Sequence, residues 1–166
     1  DAKIDDYQHD LDTRIIDIIA RQQPVASDLR ALITALRMSA DLERMGDLSH
    51  HIAKVARLRH PNNAIPNDLV LAFTEMGYVA EKLSTKVATV ITTRDTDMAL
   101  QVEKDDDEMD DLHRKVISGI ISNGSSITIE SAIDLTLLGR YYERFADHAV
   151  AVARRVYFLV KGEFPQ

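Results

Sequence analysis

The sequence predicts an all-α protein, an elongated helical bundle made of two repeated units. Three observations predict it. Apolar residues recur at helical spacing over long segments, and no convincing alternating strand interrupts them. Proline is confined to positions 24, 61, 66 and 165, so it cuts the chain into helix-length pieces. An acidic helical step also recurs: Glu43-Arg44-Met45-Gly46-Asp47 is answered by Glu143-Arg144-Phe145-Ala146-Asp147.

The first helix is expected over Ala2 to Arg21, with Ile4, Leu11, Ile15, Ile18 and Ile19 on its apolar side. Gln22-Gln23-Pro24 breaks it. Ser27 is the expected cap of a second helix, although Arg30 stands where a capping box wants Glu. Leu29, Ile33, Leu36 and Ala40 start its stripe, and His60-Pro61 closes it after Arg59. Residues 60–67 hold two prolines and three asparagines, which makes them the main loop. Asn67 or Asp68 is expected to cap a third helix ending near Thr93, and Asp97 to begin a fourth reaching Ser122. Asn123-Gly124-Ser125-Ser126 reads as a turn. Ser126-Ile127-Thr128-Ile129 alternates too briefly for a strand, and a turn just before it favours a helix start. The fifth helix runs from Thr128 to Val160 and stops at Gly162. Its seam is Leu135, Leu138, Tyr142, Phe145, Ala149, Val152, Val156 and Leu159, spaced by threes and fours as in packed bundles.

Two units follow, 1–60 and 68–161. The second has a helix, 68–93, that the first lacks. Two amphipathic helices alone leave apolar surface uncovered. Either a helix at the amino end or a partner chain is expected to cover it.

Composition narrows the function. At 166 residues and 45% apolar, the chain can bury a sizeable core. It has no cysteine, which excludes disulfides, zinc thiolates and cysteine nucleophiles. A formal net charge of -7 argues against non-specific nucleic-acid binding and against an unaided grip on anionic lipid. No apolar run reaches the roughly 20 residues of a membrane span. The opening Asp1-Ala2-Lys3-Ile4-Asp5 carries no signal-peptide pattern and no starting Met.

The acids carry the chemistry. Residues i and i+4 of a helix share a face, where two like charges repel by about a few tenths of a kcal/mol. A cation reverses that repulsion. One pair supplies too few ligands for a tight site, so a second pair on a facing helix is needed. Asp1 and Asp5 are the expected partners of Glu43 and Asp47; Asp106 and Asp110 are those of Glu143 and Asp147. Oxygen-only ligands favour magnesium, manganese, calcium or iron. Glu143 and Asp147 lie roughly 100–140° around the helix from its seam, which puts them at a groove or an outer face. An isolated acidic pair is ordinarily just a solvated helix surface; repetition in register argues for more.

Other readings compete. Asp47-x-x-His50 and Asp110-x-x-His113 mimic the Glu-x-x-His step of di-iron bundles, but no further His falls at the required place. A carboxylate-bridged di-metal oxidase or hydrolase is therefore the alternative. It would need an open coordination position beside a pocket. His148 has no counterpart at Leu48, and His51 and His60 read as surface residues. No P-loop, His-Glu-x-x-His or nucleophile elbow is present. Arg140, Arg144, Arg154 and Arg155 give the last helix a basic face, suited either to balancing the acids or to docking an acidic surface. Asp95, Asp97, Asp111 and Asp134 read as capping or solvent-facing.

The segments Gln22-Gln23-Pro24-Val25-Ala26-Ser27-Asp28-Leu29-Arg30, Ala40-Asp41-Leu42-Glu43-Arg44-Met45-Gly46-Asp47 and Tyr142-Glu143-Arg144-Phe145-Ala146-Asp147-His148-Ala149 strongly resemble the PhoU family. The resemblance covers nearly the whole chain. It implies two three-helix repeats with Glu/Asp-xxx-Asp metal motifs, hence Glu43, Asp47, Glu143, Asp147, Asp106, Asp110, Asp1 and Asp5 as ligands. It implies iron, zinc, magnesium or manganese as the metal. It further implies a non-enzymatic cytoplasmic regulator, often a homodimer. Such a protein represses phosphate uptake and phosphate-starvation signalling by contacting the phosphate ABC transporter and its sensor histidine kinase at the inner face of the membrane. Two expected departures from the family concern the first repeat: the absence of the family's usual amino-terminal helix before Asp1, and Leu48 in place of the His seen at 148.

Overall fold

The computed structural model describes residues 2–122 and 127–165, and it consists of helices joined by short connections. In order they are α1 (Ala2–Gln22), α2 (Ala26–Arg59), α3 (Asn67–Thr93), α4 (Thr96–Ser122) and α5 (Ile129–Lys161). No strand occurs among the described residues. The expected turn at 123–126 and the ligand Asp1 lie outside them.

Local chemistry sets the helix ends. Thr128 is in extended conformation before α5, and its side chain accepts from the Ser131 amide. Gly162 ends α5 with φ 84°, a left-handed backbone that glycine adopts without strain. Asp95 caps α4 by accepting from the amides of Asp97 and Met98 at 2.9 and 3.0 Å. Asp97 therefore lies just inside α4 and does not cap it. The expected caps of two other helices are not used. α2 starts from Val25 and α3 from Pro66, and neither start has a side-chain cap, so Ser27, Asn67 and Asp68 do not serve. Pro66 precedes α3 in an extended backbone and sets its entry without a side-chain acceptor.

Packing explains why the helices persist. α5 touches α2, α3 and α4; α3 also packs on α4, whereas among the described residues α1 packs on α2 alone. One continuous apolar core results. Met76, Leu83, Val90, Val102, Met109, Val116 and Leu135 are fully buried in it. The α5 seam is buried as the spacing predicts, except that Tyr142 and Leu159 are only partly covered. Ala146 and Ala153 are also fully buried, so the apolar stripe is wider than one seam. That width follows from three neighbours packing on a single helix.

The stripe beginning at Leu29 does not hold for α2. Leu29 and Ala40 are exposed, while Thr34, Ser39, Met45, Leu48 and Val55 are buried. The physical reason is that α2 lies between α1 and α5, so its covered face is set by two partners at once. α1 buries Ile15, but Tyr7 and Ile16 remain well exposed. The uncovered apolar surface expected of the first unit is thus present among the described residues. No described helix is long and apolar enough to cross a membrane.

Candidate metal centre

The second acid set comes from α4 and α5, the most closely associated pair apart from α2 and α5. Met109 precedes Asp110, and Ala146 precedes Asp147; both apolar residues are fully buried. Burying them turns the adjacent acids toward the rim of the α4–α5 contact. Asp106 and Asp110 are half-buried, Glu143 keeps a 15% exposed side chain, and Asp147 is exposed. The acids thus flank the seam as helical arithmetic predicts.

These four carboxylates stand within electrostatic reach of one another. Burial pushes the Asp106 carboxyl up to about 7, with Asp110, Asp147, Asp107 and Glu143 adding to the effect. Burial also pushes Glu143 up, reinforced by Asp147 and Asp110, while Arg140 and His113 pull the other way. Arg140 bonds Glu143 directly. His113 packs over Gly139: a Cβ there would stand 3.1 Å from its Cδ2, so the missing methyl admits the imidazole. Among the described residues no three His, Asp or Glu groups stand ready as a cation cage. The acids are close enough to feel one another, yet their side chains are not gathered on a single point. An arginine in contact with Glu143 is a physical reason for that spread.

Beside this set lies an open cleft of about 590 Å³, walled by Asp106, Asp107 and Asp147 together with Glu103 and Arg154. It gives solvent access to one member of the acid set from each helix, Asp106 and Asp147. The donor chemistry is all oxygen apart from His113, which fits a hard cation.

The first acid set is organised differently. Gly46 lets α1 approach α2 closely: a Cβ there would stand 2.6 Å from the Ile4 Cδ1. This contact brings the α1 turn carrying Asp5 alongside the α2 turn carrying Asp47. Asp5 itself is exposed and Glu43 half-buried. Asp47 is held by its own helix: Arg44 bonds its carboxylate, and His51 Nδ1 stands 3.0 Å from its Oδ1. Asp1 lies outside the described residues.

Sequence reasoning missed Asp41. Its carboxylate joins α2 to α5, with His148 Nδ1 3.1 Å from Oδ1 and Arg155 Nε donating to Oδ2 at 2.7 Å. The available signal was a basic pair seven residues apart, at 148 and 155, on the rim of the α5 seam. It also missed the clamp by which Arg59 bonds Asp134 and Glu130. Asp134 is buried there and not solvent-facing. The basic face of α5 is largely neutralised: Arg140 meets Glu143, Arg154 meets Glu103 and Arg155 meets Asp41. Charge balance, and not an open basic surface, accounts for those three arginines.

A helical bundle whose adjacent helices carry Asp/Glu-xxx-Asp steps in a duplicated frame defines the class. Residues 1–56 and 73–156 match the PhoU domain. The chain belongs to the PhoU family. The phosphate-specific transport system accessory protein PhoU homolog 2 of Mycobacterium bovis is 47% identical over 148 residues, which span 89% of this chain and 70% of that protein. The crystal structure of PhoU from Pseudomonas aeruginosa superposes with a TM-score of 0.84 at 26% identity, covering 98% of this chain and 78% of that one. The phosphate transport system regulatory protein PhoU from Streptococcus pneumoniae gives a TM-score of 0.86 at 23% identity, covering 99% and 77%. The latter likeness bears on the fold alone.

Proposed function

We propose that this chain is a non-enzymatic negative regulator of phosphate uptake and phosphate-starvation signalling. It acts in the cytoplasm, at the inner face of the membrane, as a metal-binding adaptor between a phosphate ABC transporter and its sensor histidine kinase. Family membership supports the regulatory part, since relatives are named as accessory or regulatory proteins of phosphate transport. The observation that carries the metal part is the shared field of Asp106 and Asp110 on α4 with Glu143 and Asp147 on α5.

In this reading those four residues hold a hard divalent or trivalent cation such as magnesium, manganese or iron. The bound ion supplies electrostatic cross-linking of two helices. Asp106 must then give up its proton, and Arg140 must release Glu143. Asp5, Glu43 and Asp47, with Asp1, form a second and weaker cation site across the α1–α2 contact. Fixing the helices in this way fixes the surface offered to partners, and a homodimer presents it twice.

Calorimetric titration of chelator-treated protein with manganese tests the metal part. Saturable binding is expected, weakened about tenfold or more by Glu143→Gln or Asp147→Asn, which corresponds to at least ~1.4 kcal/mol. Binding that ignores both substitutions would remove these residues from the site. Phosphate uptake in cells lacking their own copy tests the regulatory part: the wild-type chain lowers uptake, and failure to do so counts against the assignment. A carboxyl poised near 7 beside a solvent-open cleft also suits the oxidase or hydrolase alternative. Turnover of phosphate esters or oxygen by the manganese- or iron-loaded protein would favour it.

A further inference from the structure

The two long helices share one register, in which residue n of α2 corresponds to residue n+100 of α5, as Glu43 does to Glu143. Their two ends are nevertheless charged differently. At one end Arg59, in the last turn of α2, bonds Glu130 and Asp134 in the first turns of α5. At the other end the same register puts Arg30 and Thr34 where those acids stand, and Leu159 where Arg59 stands. The acids that neutralise one end are missing from the other.

The structure bears out that imbalance. The Nε of Arg30 is buried and has no hydrogen-bond acceptor among the described residues. Its guanidinium is fixed in place on two sides. A Cβ at Gly162 would stand 2.6 Å from Arg30 Nη1, so only the bare glycine leaves room. The guanidinium carbon also lies 6.0 Å from the centre of the Phe158 ring. Phe158 stacks on Phe164 with centroids 4.6 Å apart and an interplanar angle of 12°. Arg37, two turns along α2, is exposed and takes part in no ion pair recorded among the described residues. Arg155 is the third cation, already shared with Asp41. The two carboxylate oxygens of Asp41 face His148 and Arg155. The three arginines, with Ile33 and the two stacked rings, line a cavity of about 370 Å³.

We infer that this cavity binds a tetrahedral oxyanion of the phosphate class, either free or as a monoester. A planar guanidinium offers parallel N–H donors that match phosphate oxygens, and an orphaned buried donor is matched when such an anion enters. The apolar walls lower the local dielectric on one side of the guanidinium and strengthen the attraction. The stacked phenylalanines give a monoester a surface for its organic part. The site shares the walls Arg155 and Phe164 with the cleft beside the paired carboxylates but uses none of those acids, so it goes beyond the metal-dependent reading.

The test is calorimetric titration of the full chain, in chelator to remove metal, with inorganic phosphate and with phenyl phosphate. Saturable binding of at least one probe is expected. Arg37→Gln and Arg30→Lys should each weaken it about tenfold or more, the second because lysine keeps the charge and loses the fork. Arg114→Gln, an exposed arginine elsewhere, should leave it unchanged. Equal affinity for the two probes assigns the free anion; about tenfold preference for phenyl phosphate assigns a monoester. No saturable binding of either probe overturns the proposal and leaves Arg30 as packing against the end of α5. Unaltered binding by Arg37→Gln, whose exposed position makes a folding defect unexpected, overturns it as well.

Discussion

Asp106 ties the site to pH. Burial and neighbouring carboxylates push it up to about 7 from an ordinary 3.8. The folded chain therefore keeps a proton that the unfolded chain gives up above about pH 4. In the metal-free protein this group favours the fold fully below that pH, and its contribution declines as pH rises to about 7, then levels off. Melting temperatures in chelator between pH 4.5 and 8 should show this decline, and Asp106→Asn should flatten it; a parallel profile for the variant would contradict the assignment. Glu103 and Asp105 work in the opposite direction. A bond from Arg154 holds Glu103 below its usual range. Burial pushes Asp105 up, but Lys86 and Lys82 outweigh it and hold it down. Their stabilisation is present above the ordinary carboxylate range and is lost as pH falls through it. The recurrence of Glu-Arg-x-x-Asp was legible in sequence, since a helix repeats its face every turn or so. Asp41 was not, because its partners His148 and Arg155 lie on another helix and only packing brings them to it.

At the scale of single helices, the boundaries were largely legible and the caps were not. Proline locks its own φ and glycine admits a left-handed backbone, so 24, 61 and 162 marked ends that the structure repeats. A cap depends on the extended residue before the first turn, and Val25 and Pro66 occupy that place without donating a side-chain oxygen. The close approach at Gly46 yields a prediction for α1. Gly46→Leu places a bulky chain where Ile4 packs, and α1 has no other helix to hold it. Hydrogen exchange over residues 2–22 should accelerate while 69–90 keeps its protection. Equal protection in both segments would show that Ile4 is not what holds α1. The clamp at the other end of α2 predicts a different loss. Asp134→Ala leaves Arg59 without its buried partner, and the expected cost is about 1–2 kcal/mol, or roughly 2–8 °C in Tm. Calorimetry that finds no change would reduce the clamp to a surface contact.

For the whole molecule, one core and one central helix were foreseeable from the unbroken spacing along α5. Which helices would lie against it was not, because a stripe records how much is buried and not by whom. The exposed Leu29 shows this: its spacing fits a seam, yet it borders an open cavity. Leu83 is fully buried in the shared core, so Leu83→Ala should cost about 2–5 kcal/mol and unfold α3, α4 and α5 together. Chemical denaturation should stay a single transition for those helices. A separate early loss of α3 would argue for two weakly coupled units.

Among the described residues α1 attaches to α2 alone, which makes α2 the coupling rod between α1 and the rest of the bundle. Among the described residues, the packing route from the α1–α2 hairpin to the remaining helices runs across the α2–α5 contact. The Asp41 rivet lies on that route, and it grips His148, the chain neighbour of Asp147. A force applied at one end of the molecule is therefore delivered next door to the far carboxylates.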